Sequence, residues 1–237
     1  MLFGINKLKL TILLMLIVSL TACAQSDEAR LKQSQQHQEK SNELRLQGNL
    51  EAAITEQLKA IEITPNDLQA QSVLGSLYNQ TAREKNKPEY FRKAQESLEK
   101  AIKLDPNDAV SHSMLAKVLD QTGNKQGALR EWREAARLEP TRLYYLTNIG
   151  VGEHLLNDNQ SAKVTFQTIL QKYPKHIYTL YRYAEVEAED RNFDKAIDLF
   201  EKAINSEPSE AEDEDFQQTA RKRLAEIREK LKPKTLN

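Results

Sequence analysis

The stretch Ala128-Leu129-Arg130-Glu131-Trp132-Arg133-Glu134-Ala135-Ala136-Arg137-Leu138-Glu139-Pro140 decides the fold. Ala128, Trp132 and Ala135 are spaced four and three apart, so a helix puts them on one stripe, and proline then stops the helix because it cannot continue it. The same arrangement recurs outward from here. Pro65, Pro106, Pro140, Pro174 and Pro208 lie 41, 34, 34 and 34 residues apart. Twelve residues before each proline stand Ala53, Ala94, Ala128, Ala162 and Ala196; five before stand Ala60, Ala101, Ala135, Ile169 and Ala203. Eight before stand Gln57, Leu98, Trp132, Phe166 and Phe200. Small residues let neighbouring helices approach, and the large residue between them fills the space beside the contact. A fixed period near 34 marks a stack of helix-turn-helix units, each burying its apolar face only against its neighbours.

The earlier helix of each unit carries a second pattern: Leu74-Gly75 with Tyr78, Leu115-Ala116 with Leu119, Ile149-Gly150, and Tyr183-Ala184. Large, small and aromatic positions ending in proline resemble the tetratricopeptide repeat, and the resemblance runs from about residue 34 to residue 210. It implies an all-α, right-handed solenoid of five repeats: 34–67, 68–108, 109–142, 143–176 and 177–210. Eleven helices are expected, two per repeat and one cap, with Trp132 buried between repeats 3 and 4.

Two repeats depart from the pattern. Repeat 2 is seven residues too long, with the excess in Gln80-Thr-Ala-Arg-Glu-Lys-Asn-Lys-Pro-Glu-Tyr90. A polar stretch holding Pro88 reads as a loop between the two helices, either a tolerated surface insertion or a partner-contacting element. Repeat 1 is degenerate: Lys40, Ser41 and Gln57 occupy positions where large or small apolar residues belong. Terminal repeats are commonly atypical, since one side faces solvent.

Composition agrees with this architecture. Of the 237 residues 39% are hydrophobic and 29% charged, with a formal net charge of −1, which offers no basic field for nucleic acid. The four histidines, His37, His112, His154 and His176, show no paired metal-ligand spacing, and no phosphate-loop, dinucleotide or nucleophile-elbow motif is present. The chain therefore reads as a binding scaffold with no catalytic site, no metal and no cofactor.

The N-terminus belongs to a different category. Lys7 and Lys9 precede the apolar Leu10-Thr-Ile-Leu-Leu-Met-Leu-Ile-Val-Ser-Leu20, which is too short to span a bilayer and reads as a secretory signal over residues 1–22. Leu20-Thr21-Ala22-Cys23 resembles the bacterial lipobox, and Cys23 is the sole cysteine, which fits attachment rather than an internal disulfide. The resemblance implies lipidation of Cys23 and membrane anchoring through its acyl chains; the alternative is an ordinary signal with a chance cysteine. Ala24 stands where enterobacterial lipoproteins retained at the inner membrane carry aspartate, which implies the outer membrane. Residues 23–33 are then the lipidated cysteine and a polar tether, leaving the solenoid in the periplasm.

Beyond Pro208 the repeat stops and residues 211–237 read as a capping helix and tail. Ser209 and Glu212 have capping-box spacing, and Glu210, Glu212, Asp213, Glu214 and Asp215 suit a helix N-terminus. Phe216, Ala220, Leu224, Ile227 and Leu231 share one face. A polar-faced cap is one reading and a basic membrane-surface helix the other.

Tetratricopeptide proteins bind peptide or protein segments in a groove lined by the first helices. The family's groove positions hold Gln69, Ser72, Val73 and Ser76 in repeat 2, and Val110, Ser113, Met114 and Lys117 in repeat 3. Repeat 4 offers Tyr144, Thr147, Asn148 and Val151, and repeat 5 offers Tyr178, Tyr181, Arg182 and Glu185. The resemblance and the large amphipathic side chains of the later repeats place a peptide-binding groove at Asn148, Tyr144, Tyr178, Tyr181, Arg182 and Lys117. Tyr144 and Tyr181 serve equally well as helix-packing residues. Asn148 and Arg182 match two positions of the family's carboxylate clamp, but Ser113 and Tyr178 stand where it has lysines, which argues against a chaperone-type C-terminal carboxylate. In architecture the chain resembles outer-membrane lipoproteins that assist pilus secretin assembly or dock peptidoglycan hydrolases. The expected partners are a protein or peptide segment of an envelope complex and the membrane itself, with homo-oligomerisation open. The alternative role is a self-associating envelope spacer.

Overall fold

Polar caps and left-handed turns set the period. The side chains of Asp67, Asp108, Asn124 and Asp158 each accept a bond from the backbone N–H three residues on, and His176 does the same for Thr179, satisfying donors that the first turn of a helix leaves open. The turn inside every repeat holds one residue at positive φ: Gly48, Asn86, Gly123, Asn157 and Arg191. The computed structural model describes residues 27–209 and 212–232, and among these there are eleven α-helices and no strand. They are α1 (27–46), α2 (Leu50–Ile63), α3 (Leu68–Glu84), α4 (Glu89–Leu104), α5 (Ala109–Gln121) and α6 (Lys125–Leu138). Then come α7 (Leu143–Leu155), α8 (Asn159–Lys172), α9 (Ile177–Glu189), α10 (Phe193–Asn205) and α11 (Asp213–Leu231). The signal region, Cys23, Ala24 and Glu210 lie outside the described residues.

The helices form two compact parts, one ending at Pro106 and one beginning at Asn107. In the first, α3 packs on both α2 and α4. In the second, each helix from α5 to α11 packs on the next, and the first helices α7, α9 and α11 also touch in sequence.

The alanines twelve before each proline are fully buried, as are Leu98, Phe166 and Phe200, and Trp132 is buried where expected, on α6 against Gly152 of α7. Close approach at Gly150 is enforced by Phe166: a Cβ there would lie 2.5 Å from its ring. Gly75 meets Leu98 in the same way.

Three expectations are corrected. The tether does not extend to residue 33, because residues 27–33 already belong to α1, where Arg30 bonds the Ile63 carbonyl and Ser34 the Ala60 carbonyl. The stretch 80–90 is mostly helix, and only 85–88 form the turn between α3 and α4. The excess lengthens α3 and α4, with Thr81 and Ala82 buried and Pro88 at the N-cap of α4, where its missing N–H costs nothing. The capping box from Ser209 to Glu212 does not form: Glu212 is itself the N-cap and makes no side-chain cap bond, while the Asp213 carboxylate at the start of α11 accepts from the Ser209 N–H at 2.7 Å and from its hydroxyl. Of the predicted stripe on α11, Ala220, Leu224 and Ile227 are buried and Leu231 is exposed.

Candidate peptide-binding face

In the second part, the first helices α5, α7, α9 and α11 carry a ladder of rings. The Lys117 ammonium on α5 lies 5.0 Å from the ring centre of Tyr144 on α7. Tyr144 stacks on Tyr178 of α9 at 5.6 Å, and Tyr178 stacks on Phe216 of α11 at 4.5 Å. Phe216 also faces Tyr181 at 5.9 Å, and the Arg182 guanidinium lies beside the Tyr181 ring. Offset stacks and cation–ring contacts of this kind fix side-chain positions before any ligand arrives.

The structure thus brings all six predicted residues to one face but gives them unequal freedom. Asn148 is buried: its amide donates to the Tyr144 carbonyl at 2.9 Å and its oxygen accepts from the Tyr178 hydroxyl at 2.8 Å. It is not available to bond an extended partner backbone. Tyr178 is held between two rings, and burial pushes its phenol well above the usual range. Tyr181 is buried too, and burial raises it. Thr147 bonds Thr179 at 2.6 Å and Glu185 bonds Arg223 at 2.8 Å. Asn148 and Thr147 are held by α7 and α9 themselves, whereas Tyr178, Tyr181 and Glu185 are engaged by Phe216 and Arg223 of α11, which takes the place a sixth first helix would occupy.

The open space lies one repeat earlier. A cleft of about 780 Å³ is lined by all four groove positions of repeat 3, Val110, Ser113, Met114 and Lys117, together with Tyr144. Its other walls are Glu139, Thr141, Arg142, Leu143, Tyr145, Tyr173 and Glu212. These were not foreseen from sequence. The period itself carried one hint: Tyr144, Tyr178 and Glu212 are 34 apart, so Glu212 continues the groove register to the N-cap of α11. Arg142 lies over the Tyr145 ring and 3.9 Å from Glu139. On α5, burial raises the Asp120 carboxyl while Arg182 and Lys125 oppose the shift.

The histidines serve structure. His37 and His112 each bond, through Nδ1 at 2.7 Å, a glutamate nineteen residues on, Glu56 and Glu131. His154 bonds Asn159 and Glu189, and His176 caps α9. Among the described residues no group of side chains could hold a metal ion, and no helix is long and apolar enough to cross a membrane.

Comparison with known families matches tetratricopeptide repeat models to residues 37–67, 68–108, 97–130, 144–176 and 178–209. The chain belongs to the tetratricopeptide repeat family. No curated protein matches it. Among solved structures, this tetratricopeptide protein is similar to Pseudomonas aeruginosa PilF, with a TM-score of 0.63 at 19% identity over 86% of this chain and 92% of PilF. It is also similar to the thermophilic tetratricopeptide protein TTC0263 of Thermus thermophilus, with a TM-score of 0.61 at 18% identity over 82% and 98%. YrrB, described as a TPR protein with an unusual peptide-binding site, gives 0.55 at 22% identity over 78% and 90%. At these identities the likeness is one of fold.

Proposed function

We propose that this tetratricopeptide protein is a lipid-anchored scaffold on the periplasmic side of a bacterial outer membrane. There it receives an extended segment of an envelope protein and helps to assemble an envelope machine such as a pilus, a secretion system or a peptidoglycan-remodelling complex. The observation that carries the reading is the cleft at the junction of α5 and α7, which gathers every groove position of repeat 3 beside an aromatic ladder. Aromatic and cationic side chains fixed around an open cleft of mixed apolar and polar lining are the composition of interaction hot spots. The peptide-binding description of YrrB and the fold shared with PilF support the same reading. Lys117, Tyr144 and Arg182 remain the contact residues of this proposal, while Asn148, Tyr178 and Tyr181 shape the face from beneath.

A photo-crosslinking amino acid placed at Met114 in cells should trap one envelope protein, and the same probe at Val164 on α8 should not. Adducts of equal yield at both positions overturn the proposal, and adducts of the chain with itself select the spacer role. The anchor is tested separately. Cys23→Ser removes the acyl acceptor, so the mature chain should leave the membrane fraction and lose its acyl mass. A wild-type chain of unacylated mass defeats this half of the proposal.

A further inference from the structure

The cations of the second part differ in what already neutralises them. Lys163 and Lys195 both pair with Glu187, Arg223 with Glu185 and Glu226, and Arg133 with Glu153, all within 3.2 Å. Lys117 is exposed and has no carboxylate within ion-pair distance among the described residues; the Tyr144 ring positions its ammonium at the cleft instead. An incoming anion can therefore pair with Lys117 without displacing an internal partner, and the tyrosine has already restricted the long side chain that such a pair must immobilise. The same cleft also holds the opposite sign: Glu139, beside Arg142, and Glu212 line it.

Resting on the groove reading above, we infer that the partner segment places one acidic side chain on Lys117 and an apolar side chain against Val110 and Met114. Glu212 repels a second acid, so neutral or basic residues flank the first and the segment has a fixed direction. The carboxylate is that of an internal Asp or Glu rather than of a chain end. A terminal carboxylate is best held by several converging donors, and Asn148 is buried, with its amide donating to the Tyr144 carbonyl and its oxygen accepting from Tyr178.

The test pans a random displayed peptide library against the full chain in detergent micelles. Selected peptides should share a single Asp or Glu beside an apolar residue. Lys117→Glu should weaken them at least about five-fold without altering helicity or melting, and exchanging the peptide's acid for lysine should restore binding to that variant. Peptides excluded by Met114→Arg but indifferent to Lys117→Glu and to loss of their acid overturn the inference while leaving the groove reading intact. Peptides whose binding vanishes on amidation of their C-terminus overturn the internal carboxylate. A selection yielding nothing that Met114→Arg affects overturns both.

Discussion

Repeat 1 and repeats 4 and 5 share one backbone plan and fill it with opposite materials. Repeat 4 has Gly150, and repeat 5 Ala184, where repeat 1 has Ser41, whose hydroxyl donates to the Ala53 carbonyl at 2.9 Å. Where the later repeats bury Phe166 and Phe200, repeat 1 buries Gln57, whose amide donates to the Ala70 carbonyl at 3.0 Å. Ser34 bonds the Ala60 carbonyl, Gln38 bonds Asp67, and His37 pairs with Glu56. A helix pair with only small and aliphatic apolar filling, here Leu50, Ala53, Ile54 and Ala60, can thus close with hydrogen bonds in place of aromatic rings, provided nearly every buried polar group finds a partner. The difference is in driving force. A net hydrogen bond contributes about 1 kcal/mol, whereas full burial of an aromatic side chain contributes about 1.5 to 3 kcal/mol. Repeat 1 should therefore open before repeats 4 and 5, and hydrogen exchange should show its amides protected least.

The largest test removes the aromatic filling. Phe166→Ala should cost about 3 to 5 kcal/mol, since Gly150 and Tyr183 cannot collapse into the space, whereas Ser41→Ala should cost only about 1 kcal/mol. Exchange rates in α7 and α8 against those in α1 and α2 read the two losses separately. Equal losses would break the comparison.

Acid should act next, and on repeat 1 first. Bonds from His37 and then Lys59 hold the Glu56 carboxyl at about 2, below its ordinary 4.5. A depressed carboxyl contributes stability above its ordinary value and loses it as pH falls toward the folded one, so the window is pH 4.5 down to about 2. Burial raises Glu187 in repeat 5, but Lys195, Asn192 and Lys163 outweigh it and hold that carboxyl at about 2 as well. Both sites weaken over the same window, and only repeat 5 has aromatic packing in reserve. Melting followed by exchange should lose α1 and α2 before α9 and α10, and Glu56→Gln should flatten the pH dependence of α1 and α2.

A smaller effect of opposite sign sharpens the contrast. The Gln57 carbonyl oxygen is buried with no partner, a cost that the leucine at the same position in repeat 2 avoids. Gln57→Leu should stabilise the first part by about 1 to 2 kcal/mol, measured as slower exchange in α1 to α3. A loss would mean that the Ala70 bond outweighs the unpaired oxygen.

These positions also show what sequence could disclose. Five prolines and the alanines in register with them fixed the helix pairs and the burial of Trp132 and Phe166, because packing repeats with the chain. The two longer helices of repeat 2 escaped notice, since residues 80–90 are polar and contain a proline, and only the structure shows Thr81 and Ala82 facing inward. The groove was half legible. Its positions followed from the repeat, but whether Tyr178 and Tyr181 were open depended on Phe216, which lies beyond the last repeat and covers both. A repeat pattern tells where a side chain projects, not what a neighbouring element lays upon it.

The smallest effect concerns the turns, where the ranking of the two regions reverses. Repeat 1 turns on Gly48 at φ 74°, a conformation open to glycine without strain, while repeat 5 turns on Arg191 at φ 62°. A side chain with a Cβ costs roughly 1 to 2 kcal/mol in the left-handed region. The Arg191 N–H bonds the Ala188 carbonyl, closing α9, and a glycine keeps that bond because it is made by the backbone. Arg191→Gly also increases the freedom of the unfolded chain, which offsets part of the relief. The net expectation is a gain of about 0.5 to 1 kcal/mol, confined to exchange in α9 and α10, and Gly48→Arg should destabilise α1 and α2 by a similar amount. If both changes leave their repeats unaltered, turn strain does not distinguish these regions and the contrast rests on their interiors alone.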